Sequence, residues 1–162
     1  MRRKIFTRSQ LREHLDHLRR ESGGMRFVFT NGCFDLLHVG HLRYLWEARG
    51  LGDALVVAIN DDASVRRLKG SERPILKLEE RLQVLAGLAC VDFVTWFGED
   101  TPIPLLRELK PEVLCKGATY DVQGVVGHDV VSEWNAEVTV LRLTEERSTT
   151  GLIEKVMGNR HA

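Results

Sequence analysis

The chain has 162 residues, 43% of them hydrophobic and 28% charged, which is the composition expected of one globular domain with a sizeable core. Lysine plus arginine and aspartate plus glutamate number 23 each, so the overall basic excess typical of nucleic-acid-binding proteins is absent. No apolar run is long enough to span a membrane, and we therefore expect neither nucleic acid nor membrane as a partner.

Two further features of the sequence bear on location. The basic residues 1–4 are not followed by the apolar segment that a signal peptide requires. The three cysteines are widely spaced and form no disulfide framework, as expected in a reducing compartment. We therefore expect a cytoplasmic protein.

The first predicted element is an amphipathic helix over residues 7–22. Its leucines recur on one face, at Leu11, Leu15 and Leu18. Thr7 or Ser9 would cap the start of this helix, and Gly23-Gly24 would end it. We expect residues 1–24 to pack on the outside of a domain formed by residues 25–162.

A strand, a turn and a helix follow in close succession. The apolar run Phe27-Val28-Phe29 predicts a short buried strand, and the segment TNGCFDLLHVGH occupies residues 30–41 directly after it. We expect Leu42, Leu45 and Trp46 to form the core face of the next helix. The free backbone N–H groups at the start of that helix would attract an anion.

Two histidines lie at this helix start. His38 and His41 are three residues apart, which places them on one helical face, and Gly40 between them lets a ligand approach the backbone. The pair suggests a polyphosphate site. Taken alone, it also fits two surface histidines or part of a zinc site, although zinc would need a third protein ligand.

The rest of the chain alternates between the two periodicities. Apolar runs predict four more strands, at residues 54–59, 91–96, 113–115 and 138–143. Helices are predicted at residues 63–68, 78–88, after Pro104, at residues 125–134 and after residue 150. Asp62 would cap the first of these helices.

Five strands alternating with helices predict a single α/β domain with a doubly wound, mostly parallel, Rossmann-like sheet. Ligands bind such sheets at the carboxyl ends of the strands, where the strand order reverses. Four polar segments would meet at this edge: the histidine turn, Asn60-Asp61, Lys116-Gly117 and Ser148-Thr149-Thr150.

The polar residues at this edge are the types that nucleotidyl transfer requires. In that reaction the protein aligns the reactants and stabilises charge on a pentavalent phosphorus, mainly by donating hydrogen bonds. The donors available in the sequence are His38, His41, Lys69, Arg81, Lys116 and residues 148–150.

Six segments in register carry a resemblance that covers nearly the whole chain. They are GCFDLLHVGH, AINDDASVRRLKG with RP after it, EERLQVL, DTP, LKPEVLCKG and RSTTGLI. Together they resemble the cytidylyltransferase-like nucleotidyltransferases with an HxGH signature, and within them the adenylyltransferases that act on glycero-manno-heptose 1-phosphate. The resemblance implies the HxGH nucleotidyltransferase fold, ATP and a sugar phosphate as substrates, Mg2+ as cofactor and a homodimer.

The resemblance also implies roles for individual residues. His38 and His41 would stabilise the transition state, Lys69 on a loop would bind the α- and β-phosphates, and Arg81 would hold pyrophosphate or the acceptor. Backbone N–H groups of Cys33 and Phe34 would bind the triphosphate, Ser148 and Thr149 its β- and γ-phosphates, and Asp35 would hold the turn. The remaining expected nucleotide-binding positions are Thr30, Gly32, Gly40, Asn60, Lys116, Gly117, Arg147 and Thr150.

Several of these residues also have a plain structural interpretation. Asp35 would cap its own turn, and Lys69 would lie on a solvated loop. Arg81 would pair with a glutamate at the start of its own helix. Residues 148–150 would serve only as a helix cap, and Cys33 is expected to be a small buried residue rather than a nucleophile.

The sequence departs from the heptose enzymes at Ala118-Thr119, where they have Gly-Asp, and this leaves recognition of the ribose or the acceptor open. Glycerol-phosphate cytidylyltransferases have an arginine at the position of Leu143. Its replacement by leucine in this chain favours the heptose type over the glycerol-phosphate type. The alternatives are a cytidylyltransferase acting on a polyol phosphate, an adenylyltransferase resembling FAD synthetase, and a nucleotide-binding regulator without activity.

Overall fold

The computed structural model describes residues 4–118 and 122–142. Its strands are β1 (Phe27–Gly32), β2 (Ala54–Asn60), β3 (Phe93–Phe97), β4 (Val113–Ala118) and β5 (Glu137–Arg142). Its α-helices are α1 (Arg8–Ser22), α2 (Val39–Arg49), α3 (Asp62–Lys69), α4 (Leu78–Ala86), α5 (Ile103–Leu109) and α6 (His128–Ser132). The predicted alternation of strands and helices is therefore confirmed.

The five strands form one parallel sheet in the order β3-β2-β1-β4-β5. The chain builds outward from β1 to β3 and then crosses back to place β4 on the other side of β1. The strand order thus reverses between β1 and β4, which makes this the expected ligand crevice of a doubly wound sheet.

Helices cover both faces of the sheet. On one face, residues of α2 and α4 pack on the side chains of Val28, Leu55, Val57 and Ile59. On the other face, residues of α1, α5 and α6 pack on Phe27, Phe29, Val56 and Ala58. Successive strand residues therefore alternate between two apolar layers, as burial on both faces requires.

Helix α1 begins and ends where the sequence predicts. The Thr7 hydroxyl accepts a hydrogen bond from the Gln10 N–H, and Gly23 ends the helix in the left-handed region at φ 71°. The helix packs against α5 and β3. None of the helices in the described residues is long and apolar enough to cross a membrane.

The predicted core face of α2 is wrong in two of its three residues. Leu45 is fully buried, but Leu42 and Trp46 are 40% and 54% exposed, and Tyr44 and Ala48 are buried instead. Apolar residues lie on more than one side of this helix, so their spacing does not determine its orientation. The contacts of α2 with the sheet determine it.

Several helix boundaries also differ from the predictions, and α4 ends at Ala86 rather than at residue 88. Asp61, not Asp62, caps α3, because its carboxylate accepts the Ser64 N–H at 2.7 Å. Helix α5 begins at Ile103 and includes Pro104, which the first helical turn tolerates. The helix predicted over residues 125–134 is shorter, since Gly127 at φ 99° separates a 3-10 turn from α6. The helix predicted after residue 150 lies outside the described residues.

Candidate active site

The site begins where the chain leaves β1 and enters α2. His38 caps this helix with its ring, whose Nδ1 accepts the Gly40 N–H at 3.1 Å. The His41 Nδ1 in turn accepts the His38 N–H at 3.4 Å, so the two histidines form a reciprocal capping box. Their ring centroids lie 3.9 Å apart, so the structure brings the two imidazoles together at the helix start.

This capping arrangement fixes which nitrogen carries the proton. Because His41 accepts a hydrogen bond at Nδ1, its neutral ring carries the proton at Nε2. Burial, and to a lesser extent the neighbouring His38, lowers the pKa of His41 to about 4. At neutral pH, His41 is therefore an uncharged imidazole that can donate its Nε2–H to an oxygen.

A cavity lies beside His41, at the point where the strand order reverses. Strands β1 and β2 pair from Phe27 to Gly32, but β1 and β4 pair only at Val28↔Val113 and Phe29↔Leu114. The carboxyl ends of β1 and β4 therefore separate and leave a cavity of about 170 Å³. Its lining residues are Asn31, Gly32, Cys33, Phe34, His41, Tyr44, Lys116 and Gly117. We call this space the β1/β4 cleft.

Lys116 supplies the cation of the cleft. Its Nζ donates to the Asn31 carbonyl oxygen at 2.9 Å. Burial lowers the pKa of this lysine to about 8. A lysine held partly out of water in this way interacts strongly with any anion that reaches it.

Cys33, Phe34 and Gly32 form the turn on the other wall of the cleft. Phe34 has a positive φ of 45°, and its ring lies 5.4 Å from the His41 ring. Burial raises the pKa of the Cys33 thiol, so the sulfur is not an activated nucleophile.

Thr30 does not reach the cleft, contrary to its expected contact with nucleotide. Its side chain is buried, and its hydroxyl lies 2.6 Å from that of Tyr44. The Tyr44 hydroxyl donates to the Cys115 carbonyl at 3.2 Å, so the Thr30 hydroxyl donates to Tyr44. This chain of bonds ties α2 to β1 and β4, and thereby fixes His41. Sequence reasoning missed Tyr44, although its place three residues after His41 is a signal.

Arg81 is in a different setting from the one that the sequence suggested. Its side chain is 1% exposed, and its guanidinium donates to the carbonyl oxygens of Leu76 at 3.0 Å and of Cys33 and Asn60 at 2.8 Å each. It also pairs with the Asp62 carboxylate at 2.6 Å. Each nitrogen of the Arg81 guanidinium already donates to a protein oxygen. We therefore no longer expect Arg81 to contact a phosphate. The pairing with a glutamate of its own helix is wrong as well.

Asp35 makes a second anchor of this kind. Its carboxylate, 3% exposed, accepts Arg73 Nε at 2.6 Å and the N–H groups of Ile75 and Leu76 at 2.9 Å each. Burial acts to raise the pKa of Asp35, but these hydrogen bonds outweigh it and leave the pKa below its usual value. Asp35 therefore anchors residues 73–76 rather than its own turn.

Asn60 is the last residue of β2, and Lys69 is the last residue of the helix that follows, α3. Lys69 is exposed but belongs to this helix rather than to the predicted loop, and the exposed loop begins at Gly70. Asn60 is buried, and its side chain donates to the Ser64 hydroxyl at 2.9 Å, so the structure does not bring it into the cleft.

Other predicted residues fall outside the structure. Arg147, Ser148, Thr149 and Thr150 lie beyond the described residues, as does Thr119. In the part of the chain that is described, no three His, Cys, Asp or Glu side chains are grouped so that they could hold a metal ion.

The fold and this site define the class of protein. The sequence matches the cytidylyltransferase-like family over residues 29–156, and the chain belongs to that family. The predicted family and the Rossmann-like fold class are thereby confirmed.

The chain is also similar in sequence to curated proteins named HldE. The chain is 58% identical over 133 residues to the bifunctional protein HldE of Pseudomonas syringae, covering 82% of this chain and 28% of that protein. It is 53% identical over 134 residues to HldE of Geobacter sulfurreducens, covering 83% of this chain and 27% of that protein. The chain thus spans less than a third of the length of these relatives.

Solved structures show the same fold. A lipopolysaccharide core biosynthesis protein from Thermoplasma volcanium matches with a TM-score of 0.63 and 30% identity, over 76% of this chain and 100% of that chain. A pantoate-beta-alanine ligase from Francisella tularensis matches with a TM-score of 0.58 over 91% of this chain and 69% of that chain. Its identity is 17%, so this second likeness concerns the fold alone.

Proposed function

We propose that this protein transfers AMP from ATP to a sugar 1-phosphate, giving an ADP-sugar and pyrophosphate by direct in-line attack. The acceptor that we propose is glycero-manno-heptose 1-phosphate. The identities above 50% to the HldE proteins support this choice, together with the heptose-type segments of the sequence.

The observation that carries the proposal is the pair of adjacent imidazoles at the start of α2. The two ring centroids lie 3.9 Å apart, and His41 lines the cleft with a neutral ring whose Nε2 carries the proton. A neutral donor stabilises the charge that develops on the α-phosphate oxygens without an ammonium-like charge in the ground state. One donor of this kind is worth on the order of 3 kcal/mol in the transition state.

The remaining residues have supporting roles in this proposal. Backbone N–H groups of Cys33 and Phe34 would bind phosphate oxygens, and Lys69 would reach the α- and β-phosphates from the end of α3. Ser148 and Thr149 would bind the β- and γ-phosphates, and Arg147 and Thr150 would contact the nucleotide beside them. Arg81 and Asp35, together with Asn60 and Thr30, would position these groups instead of touching the substrate.

Mg2+ enters this proposal as part of the substrate. The carboxylates of Asp35 and Asp62 are already taken up by Arg73 and Arg81, so they do not form a protein site for the ion. A magnesium ion prefers phosphate oxygens and water when few carboxylates are available, and it would accompany the triphosphate of ATP.

The test is a pyrophosphate-release assay in which each of ATP, CTP, GTP and UTP is combined with each acceptor. The acceptors are glycero-manno-heptose 1-phosphate in both anomers, glucose 1-phosphate, glycerol 3-phosphate and flavin mononucleotide. We expect release with ATP and the heptose phosphate. Turnover only with CTP and glycerol 3-phosphate, or only with flavin mononucleotide, would replace this function by the corresponding alternative. Binding of ATP without release from any acceptor would make the protein a regulator.

We further propose a homodimer in the cytoplasm, on the strength of the family resemblance and the free cysteines. Sedimentation equilibrium of the purified chain would test the dimer directly.

A further inference from the structure

Asn31, which lines the β1/β4 cleft, carries a buried polar atom that has no hydrogen-bond partner in the described residues. Its Oδ1 is buried and has no hydrogen-bond partner within the described residues, while the side chain as a whole is only half-buried and lines the cleft. A buried amide without a partner is destabilising, and native structures rarely keep one without a reason. Within the described residues, no contact of the Asn31 amide oxygen supplies that reason.

Lys116 lies against the same residue. Its ammonium has three N–H donors, and the main-chain carbonyl of Asn31 accepts a hydrogen bond from one of them. No other partner of Nζ is found within residues 4–118 and 122–142, so two donors are available to a ligand. The lining of the cleft thus combines an amide with a cation.

The two side chains stand on the opposite face of the sheet from the histidines. Asn31 follows Phe29 by two residues, and Lys116 follows Leu114 by two, so both point toward the layer that contains α1 and α5. His41 lies on α2, over the other face. The cleft therefore has one wall formed by the histidine turn and another formed by Asn31 and Lys116.

This division matches the geometry of an in-line displacement. The attacking and leaving oxygens approach and depart on opposite sides of the phosphorus. A triphosphate held at the histidine turn leaves the opposite wall for the attacking group, which here is an acceptor phosphate attached to a polyhydroxylated sugar.

We infer that Asn31 and Lys116 form the recognition site for the acceptor, in which Lys116 binds its phosphate and Asn31 pairs with a sugar hydroxyl. A hydroxyl both donates and accepts, and a half-turn about the last torsion of Asn31 exchanges its amide oxygen and nitrogen. The amide can therefore satisfy the sugar in either orientation. This inference rests on the proposed function and reassigns Lys116 from the nucleotide to the acceptor.

The test is Asn31→Leu, which keeps the approximate size of the side chain and removes both amide atoms. We expect the KM for glycero-manno-heptose 1-phosphate to rise at least tenfold, while the KM for ATP stays within twofold. The folded protein should be no less stable to urea, because the change removes an unpaired polar atom. Lys116→Met should raise the acceptor KM by a similar factor.

The chain offers a matched control in Thr95→Val. Thr95 lies on β3, and its Oγ1 is the other buried side-chain oxygen without a partner in the described residues. Thr95→Val should be as stable to urea as Asn31→Leu, but both of its KM values should remain those of the wild type. If Leu does not fit at position 31, Asn31→Ala provides the same loss of the amide.

The outcomes separate this inference from the proposed function. A wild-type protein without turnover on any sugar phosphate refutes the function itself. An active wild type whose acceptor KM is unchanged in Asn31→Leu makes the amide structural and overturns the inference. An increase in the KM for ATP alone overturns it too, because the amide then recognises the nucleotide. Calorimetric titration of the acceptor alone gives the same comparison without catalysis.

Discussion

The two sides of β1 handle their polar groups in opposite ways. On the β2 side, Arg81 and Asp35 are buried, and each has several partners that link the ends of β1, β2 and α3 to residues 73–76. On the β4 side, the strands separate early and leave His41, Lys116 and Asn31 around a cleft with unused donors and acceptors.

The difference shows that a charged residue at a strand end is not by itself a ligand-binding residue. A guanidinium with four protein oxygens around it is a structural cross-link, because burying it with fewer partners would cost several kcal/mol. A lysine or an amide left with free bonding capacity in a cleft is available to a substrate. The number of unused bonds, rather than the residue type, distinguishes the two sides.

The largest effect is expected on the saturated side, from Arg81→Gln. It removes the charge that pairs with Asp62 and leaves three carbonyl oxygens short of a donor. We expect the free energy of unfolding, measured in urea, to fall by about 3–5 kcal/mol.

Arg67→Gln is the matched control for this change. Arg67 pairs with Asp100 and the Gly98 carbonyl in an exposed setting, so its loss should cost less than about 1 kcal/mol. Equal losses in the two variants would show that the buried cross-link has no special weight.

On the open side, His41→Ala should affect turnover instead of stability. We expect kcat to fall at least about a hundredfold while the Kd for ATP stays within about tenfold, because the Nε2–H acts mainly in the transition state. Pre-steady-state pyrophosphate release and ATP titration give the two numbers. A parallel loss in both would assign His41 to ground-state binding.

Asp35→Asn tests the second anchor. The change removes the charge that holds Arg73 and weakens the acceptor for the Ile75 and Leu76 N–H groups, so we expect a loss of about 1–3 kcal/mol. Hydrogen exchange of those two amides should accelerate, whereas Asp100→Asn should leave them unchanged. Full protection of both amides in Asp35→Asn would rule out the anchor.

The last prediction concerns the pH dependence of stability. The pKa of His41 is about 4 in the folded state and near 6.5 in the unfolded state, so the unfolded chain binds more protons between these values. Stability should therefore decrease as the pH falls from about 6.5 to 4. The decrease should be shallower in His41→Gln, as followed by urea unfolding at several pH values. If stability decreases equally steeply with pH in the wild type and in His41→Gln, the His41 ring is exposed to water and its pKa is not lowered by folding.

Much of the fold could be predicted from local patterns. The apolar runs around Val28, Val56 and Leu114 predict buried strands because a sheet covered on both faces needs apolar residues in succession. Thr7 marks the start of α1 because its hydroxyl accepts a hydrogen bond from a free N–H of the first turn, and Gly23 marks the end because glycine readily adopts the left-handed conformation. The orientation of α2 could not be predicted, since Leu42, Leu45 and Trp46 form as good an apolar stripe as the one that is buried.

Within the site, the sequence alone determined the adjacency of His38 and His41, because a spacing of three at a helix start leaves little choice of geometry. It also determined that polar groups would gather at the carboxyl edge of a parallel sheet. Only the tertiary structure decided which of them are saturated, because the partners of Arg81 and Asp35 come from segments far apart in the chain. The same holds for Asn31, whose unpaired amide is visible only once β1 and β4 are seen to separate.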